Sequence, residues 1–162
     1  MEFDPNIITS YRITNTDTIY NCIHGGKGQL VLSSPSGKSH KYIFSSPRNA
    51  HEFEPGTIFV YVNHENYKYY LGMLSANGIF KLTRNSRFEP DSEAVKGVYY
   101  IMKMVNNQEL VDKTSMKLYH LCRCAKCGRP IQSEKWLEIG IGKRCMRKYL
   151  KAQESAQWDG NE

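Results

Sequence analysis

Four of the chain's five cysteines lie between residues 116 and 151. Two of them form the motif Cys124-x-x-Cys127-Gly128, which places two thiolates three positions apart on a tight turn. Thiolates bind zinc at about 2.3 Å, and such a turn lets both sulfurs reach one ion. A structural zinc ion takes four protein ligands in a tetrahedron, so the motif predicts half of a zinc site.

A third cysteine lies at the start of a predicted helix. Gly140-Ile-Gly142 predicts a turn, and residues 143–150 follow it as a short helix with Cys145 in the first turn. The positive end of the helix dipole and the neighbouring lysines and arginines favour a thiolate over a thiol at this position. Cys145 is therefore the third predicted ligand of the same ion.

The fourth ligand has two candidates in the sequence. Residues 118–123 are predicted to form a strand that enters the turn at Cys124, and this strand carries His120 and Cys122. Side chains two positions apart lie on the same face of a strand, so either one could point toward the metal. Spacing alone does not choose between them.

The segment from His120 to Cys145 resembles a family of small phage and prophage proteins with an uncharacterised zinc-binding domain. The shared pattern is a histidine, three residues, C-x-x-C-G-R, a mostly polar stretch and G-I-G-x-x-C. The matching positions are His120, Cys124, Cys127, Gly128, Arg129, Gly140, Ile141, Gly142 and Cys145. The chain departs from the family at Trp136, where serine is frequent, and at Cys122, where glycine is usual. The resemblance implies that His120 is the fourth ligand and that Cys122 is a spare thiol.

Other uses of these cysteines fit the sequence less well. A thioredoxin-like redox motif would lie in a βαβ pattern, which is not evident around Cys124, and the acidic start of the chain is unlike a signal peptide. Four protein ligands leave no position for a catalytic water. Since the remaining histidines have no paired acid or nucleophile nearby in sequence, we expect a structural metal and no enzyme.

Charge is unevenly distributed along the chain. The net charge is +6, and residues 117–151 hold 10 basic and 2 acidic side chains, whereas residues 1–116 hold 12 and 11. Apolar runs are shorter than the roughly 18 residues of a membrane span. We therefore expect a cytoplasmic protein, in a bacterial host cell if it is phage-encoded, with an anionic partner for its cationic segment.

Two kinds of partner fit this cationic segment. The first is DNA or RNA, bound through phosphate contacts by a small phage-type accessory protein. The second is an acidic surface of a host protein, which the chain would inhibit or redirect, for example a defence or nucleic-acid enzyme. The side chains expected to contact phosphates are Arg123, Lys126, Arg129, Lys143, Arg144, Arg147 and Lys148.

The first two thirds of the chain are rich in β signals. Residues 29–34 and 40–45 predict a hairpin, and residues 57–84 predict a three-stranded antiparallel meander. Asn77-Gly78 is a favoured pair for a type I′ turn within it. Residues 11–20 contain threonine, isoleucine and tyrosine, and they predict a further strand, whole or broken.

Both faces of the predicted meander carry large side chains. Ile58, Val60 and Val62 alternate with Phe59 and Tyr61. Exposed rings on one face would stack bases, as in single-strand binders. Aromatic residues on both faces more often indicate a sheet that is covered on both sides, and this is our expectation here.

One helix is predicted over residues 92–107, capped by Asp91 or Ser92, with an apolar stripe that packs on the sheet. The predicted fold is α+β: a small antiparallel sheet, a meander or partly closed barrel, packed on this helix and followed by a treble-clef-like zinc module. The expected parts are a β-rich domain at 1–112, the zinc module at 113–151 and a flexible acidic tail at 152–162.

Overall fold

The computed structural model describes the chain from residue 10 to residue 159, with side chains through residue 152. Its centre is an antiparallel sheet of seven strands in the order β1-β7-β2-β3-β4-β5-β6. The strands are β1 (Tyr11–Arg12), β2 (Lys27–Ser33), β3 (Ser39–Ser45), β4 (Ile58–His64), β5 (Tyr67–Leu74), β6 (Phe80–Leu82) and β7 (Lys117–His120). The prediction of an α+β fold around an antiparallel sheet is confirmed. The predicted arm at residues 1–9 lies outside the described residues.

Five α-helices accompany the sheet in the described part of the chain. They are α1 (Thr16–His24), α2 (Glu93–Val105), α3 (Gln108–Lys113), α4 (Glu134–Ile139) and α5 (Lys143–Asp159). Side-chain oxygens cap the first three: Asn15, Ser92 and Asn107 each accept a hydrogen bond from a backbone N–H three residues on. These caps satisfy donors that have no partner inside a helix, and they explain where the helices begin.

The core lies between one face of the sheet and the helices α1 and α2. Alternate residues of each strand point into it, and the helices contribute Ile19 and Ile23 from α1 and Val95, Val98 and Ile101 from α2. The buried strand residues of this face include Leu30, Leu32, Tyr42, Phe44, Val60, Val62 and Leu118. The predicted stripe on α2 is thus part of the core, and α1 is a second helix on the same face.

Two predictions near the ends of the chain were wrong. Residues 11–20 form only the two-residue strand β1, and helix α1 then begins at Thr16. The threonines and isoleucines of this segment favour a strand. Asn15 instead caps a helix in which Ile19 is buried against the sheet, and this burial outweighs the strand preference. The helix predicted over residues 143–150 continues to Asp159, through most of the segment predicted to be a flexible tail.

The tight hairpin turn lies at a different place from the predicted one. Glu65 and Asn66 both have positive φ, 51° and 70°, and they connect β4 to β5 as a two-residue turn. Positive φ at both central residues is what a type I′ turn requires. At the predicted site only Gly78 has positive φ, and the loop between Ser75 and Ile79 contains three residues.

The second face of the sheet was expected to be covered, but the two core helices do not pack on it. Helices α1 and α2 lie on the core face, whereas the loop after the short 3₁₀ helix Ala50–Glu52 places Phe53 against Phe59 on the second face. We call this surface the open face. Its half-buried side chains include Val31, Lys41, Ile43, Phe59, Tyr61, Asn63, Tyr70, Met73 and Tyr119.

Gly97 on α2 marks a close approach between helix and sheet. A Cβ at this position would lie 2.1 Å from the hydroxyl oxygen of Tyr42, which is fully buried and donates a 2.6 Å hydrogen bond to the carbonyl of Ala94. We expect Gly97→Ala to destabilise the protein by about 1–3 kcal/mol through overpacking, despite the gain in helix propensity.

The same contact predicts that two substitutions are not additive. Tyr42→Phe alone should cost about 1 kcal/mol for the lost hydrogen bond. Because it removes the oxygen atom that the methyl group added by Gly97→Ala would meet, the double variant should be more stable than the sum of the two single losses predicts. Urea unfolding of the four proteins measures this coupling, and strict additivity would show that the contact is absent.

Candidate metal centre

Three cysteine sulfurs converge at the junction of the Cys124 turn and α5. The ligand atoms of Cys124, Cys127 and Cys145 all lie within 4.8 Å of one another. Cys124 is buried and the other two are half-buried. Three thiolates at this separation suit a soft or borderline metal ion such as zinc, so the group could hold one.

Backbone hydrogen bonds fix the turn that carries the first two sulfurs. The N–H of Cys124 donates to the carbonyl of Arg129, and the N–H of Gly128 donates to the carbonyl of Cys124, both at 2.8 Å. Gly128 has φ 79°, a left-handed conformation that glycine adopts without a steric cost. The predicted zinc knuckle is therefore a closed, regular turn.

The surroundings of Cys124 and Cys145 shift the pKa values of the two thiols in opposite directions. Burial raises the pKa of Cys124, but hydrogen bonds from the backbone N–H groups of Gly142, Cys127 and Lys126 outweigh it, and the net pKa is lowered. For Cys145, burial first, and then its contacts with the other two cysteines, raise the pKa to about 11. The surroundings thus favour the thiolate form of Cys124, whereas they favour the protonated thiol of Cys145 in the metal-free protein.

His120 does not belong to the three-cysteine group. It is buried in β7, where its Nδ1 accepts the N–H of Cys122 at 3.0 Å and its Nε2 donates to the carbonyl of Leu137 at 2.7 Å. Its ring also stacks on Tyr11, with 5.3 Å between centroids. Both ring nitrogens have protein partners, so His120 ties β7 to α4. Burial lowers its pKa, which favours this neutral form.

Cys122 also lies outside the group, although it is close to it in sequence. It is half-buried and has an unusual positive φ of 59°, and its backbone N–H and carbonyl pair with His120 and Ile131. Burial raises the pKa of its thiol. The two candidates for a fourth ligand are therefore both engaged in local structure, and the choice between them stays a prediction.

The end of α4 is held by side chains from other elements. The carbonyls of Leu137, Glu138 and Ile139 accept hydrogen bonds from His120, the Thr18 hydroxyl and the Asn21 amide, respectively. The last carbonyls of a helix lack partners within it, and buried ones need partners elsewhere. Two of the donors come from α1, which the sequence had predicted as a strand, so this docking could not have been found from the pattern.

The turn at Ala125 is docked on the body in the same way. Its N–H donates to the carbonyl of Gly140, and its carbonyl accepts the N–H of Lys27 at 2.7 Å. A Cβ on Gly25 would lie 2.6 Å from this carbonyl oxygen, so the close approach requires glycine. The segment of residues 121–151, which we call the metal module, is therefore attached to α1 and β2 through backbone contacts.

All seven side chains that were predicted to contact phosphates are exposed. Arg129, Lys143, Arg144 and Lys148 line a depression of about 320 Å³ beside the three cysteines, together with Pro130 and Gly142. A second depression on α5 is lined only by Lys143, Arg144, Arg147, Lys148 and Lys151, of which Lys151 was not predicted. The seven predicted side chains and Lys151 together are eight exposed cations, which we call the cationic surface.

The remaining two members of the predicted set lie near the turn, and each already has a contact. Arg123 donates to the carbonyl of Gly128 at 3.0 Å, and the ammonium of Lys126 lies 5.2 Å from the ring centroid of Tyr149. None of the eight cations takes part in the ion pairs formed among described side chains, which involve Glu65, Glu93 and Glu109. Among the side chains that the structure describes, no carboxylate therefore neutralises their charge.

Comparison with known proteins adds no relative. No protein-family model matches the chain, and neither curated proteins nor solved structures give a match. Within residues 10–159, no helix is both long enough and apolar enough to cross a membrane.

We expect the purified protein to carry one metal ion that depends on the three grouped cysteines. Cys124→Ser and Cys145→Ser should each lose most of the metal, because two remaining thiolates bind far more weakly. Metal content by mass spectrometry measures this, and Cys122→Ser is the matched variant outside the group, which should keep it. Loss in Cys122→Ser would identify Cys122 as the fourth ligand, and full retention in Cys145→Ser would contradict the site.

Metal affinity should rise with pH. The Cys145 thiol, whose pKa is raised to about 11, is protonated at neutral pH in the metal-free protein, so binding must release its proton. Below that pKa, each released proton makes the apparent affinity about tenfold higher per pH unit. Competition with a chromophoric chelator between about pH 6.5 and about pH 8.5 measures the slope. An affinity that is independent of pH would contradict metal binding by this thiol.

Proposed function

We propose that Cys124, Cys127 and Cys145, with a fourth ligand, hold a structural zinc ion in a treble-clef-like module. The cluster of four buried apolar residues in the metal module, Cys124, Ala125, Ile131 and Ile141, is small. So few buried residues supply little hydrophobic stabilisation, and a metal ion supplies the remainder in small modules of this kind. The turn and the start of α5 would then move apart when the metal is removed.

We infer that the metal module binds nucleic acid through the phosphate backbone. The observation that carries this inference is the cationic surface: eight exposed lysines and arginines, none paired with a carboxylate among the described residues, gathered on one turn and one helix. Phosphates are the most abundant anions that such a surface meets, and each contact releases counterions from the nucleic acid.

The shape of the surface supports nucleic acid over an acidic protein. The two depressions on it are lined by cations together with cysteine, glycine and proline, without carboxylates or apolar side chains that would form the centre of a protein interface. Together with the resemblance of residues 120–145 to phage and prophage proteins, this supports a small phage-type accessory protein that acts on nucleic acid. The metal is structural in this proposal, and no enzyme activity is assigned.

Binding to DNA or RNA should be salt-dependent and should require the N-terminal part of α5. We expect the Arg144→Ala and Arg147→Ala double variant to lose about tenfold or more in affinity at low salt and to show a salt dependence that is shallower by about two phosphate contacts. Fluorescence anisotropy with labelled oligonucleotides, at several salt concentrations, measures both quantities.

A second double variant loses the same net charge from another part of the chain and serves as the matched control. Lys96→Ala with Lys103→Ala removes two exposed cations from α2, away from the metal module, and should change the affinity less than twofold. Equal losses in the two double variants would mean that only net charge matters. No binding by the intact protein at low salt would overturn the proposal and leave an acidic protein as the expected partner.

A further inference from the structure

The open face of the sheet carries a row of aromatic rings that the core does not use. Phe53, Phe59, Tyr70 and Tyr61 contact one another in that order, with ring centroids 5.0, 5.8 and 5.6 Å apart. Their planes are inclined by 88°, 88° and 67°, so ring edges and ring faces alternate along the row. The rings are half-buried, so part of each remains in contact with solvent.

Cations accompany these rings. The ammonium of Lys68 lies 4.4 Å from the centroid of Tyr61, over its ring, and the charge of Arg48 also acts on this tyrosine. At the other end of the face, the guanidinium of Arg12 lies 5.9 Å over the ring of Tyr119. In both pairs the cation is attracted by the negative face of the ring.

The strand order sets the distance across the sheet between the pair Lys68 and Tyr61 and the pair Arg12 and Tyr119. Tyr119 lies on β7 and Tyr61 on β4, and β2 and β3 lie between them. Three strand spacings correspond to about 14 Å across the sheet, and the register displaces Tyr61 by two residues, about 7 Å, along the strands from the position opposite Tyr119. RNA-binding sheets of similar size stack two or three bases. Between them, Val31, Lys41 and Ile43 provide a shallow, partly apolar floor.

We propose that the open face binds unpaired bases of a single-stranded nucleic acid, a proposal that rests on the nucleic-acid function inferred above and gives it a strand preference. Bases stack on accessible aromatic faces irrespective of their sequence. Lys68 and Arg12, which now cover ring faces, are placed to move aside and pair with the adjacent phosphates. A base-paired duplex cannot stack on these rings, because its bases are already stacked on one another.

Charge favours a nucleic acid over a peptide as the occupant. The exposed or half-exposed cations on or beside the face include Arg12, Lys41, Arg48 and Lys68, and the strand register places Lys27, Lys81 and Lys117 on it as well. Glu65 lies in the turn at the margin of the face. It is the acidic residue that lines the depression around Lys41 and Tyr119, and its Oε1 lies 3.9 Å from the Nε2 of His64. A surface that combines rings with surplus cations matches the bases and phosphates of one ligand.

The test compares substitutions on the two faces of one strand pair. Tyr61→Ala should weaken binding of a labelled oligothymidine of about 15 nucleotides by about tenfold, because it removes a stacking ring. Tyr61→Phe keeps the ring and should bind within twofold of the intact protein. Tyr67→Ala is the matched control, since Tyr67 is 68% exposed but contacts Tyr69, whose side chain packs on the core face. Binding of a blunt duplex should change less than twofold in all three.

A second variant tests the open face independently, in case Tyr61→Ala does not fold. Lys68 is fully on the surface, so Lys68→Gln leaves the core unchanged and should reduce the slope of log affinity against log salt by about 0.7 for the single strand. Unfolding curves and metal content of every variant confirm that the rest of the structure is retained.

The outcomes separate this inference from the function on which it rests. If Tyr61→Ala and Lys68→Gln bind the single strand like the intact protein, while the Arg144 and Arg147 variant does not, the open face is not the site and the module function stands. If the open-face variants lose binding and the Arg144 and Arg147 variant keeps it, the inference holds and the module function fails. A protein that binds neither single strand nor duplex overturns both. If Tyr61→Ala changes only the self-association of the protein, the open-face inference fails and the module function stands.

Discussion

The arrangement of the molecule depends on how the carbonyls at the end of α4 find partners. Three successive carbonyls, at Leu137, Glu138 and Ile139, are turned toward the body and accept hydrogen bonds from it. A buried carbonyl without a donor costs about 1–3 kcal/mol, which is a large share of the roughly 5–15 kcal/mol that stabilises a domain. Thr18 and Asn21 on α1 and His120 on β7 supply the donors.

This constraint joins the metal module to the sheet. β7 pairs with β1 and β2 inside the sheet and then leads into the cysteine turn, so one strand belongs to both parts. It also orients the ring of His120. The Nε2 of this histidine donates to a carbonyl and its Nδ1 accepts an N–H, so the imidazole is held in one tautomer at the junction.

Two surfaces remain after the core and the junction are accounted for, and their compositions differ. The metal module presents charge on a turn and a helix, with few rings, which suits phosphates. The open face presents rings with a few cations, which suits bases. The division is consistent with a ligand that has a charged backbone and aromatic side groups.

The sequence by itself determined the local features of this protein. Spacing predicted the turn at Cys124 and Cys127 and the place of Cys145 in the first turn of α5, because these depend on neighbours within a few residues. Alternation predicted most strands, and Ser92 with the apolar stripe after it predicted α2, because side-chain period and caps are properties of short segments.

Only the tertiary structure decided what depends on distant contacts. Residues 11–20 were predicted as a strand, but residues 16–24 form a helix because burying Ile19 and Ile23 on the sheet stabilises it more than strand propensity does. The type I′ turn lies at Glu65 and Asn66 because strand pairing sets the register there. The direction of the His120 ring and the exposure of the open face follow from which elements pack together. The hydrophobic period within a segment does not determine this packing.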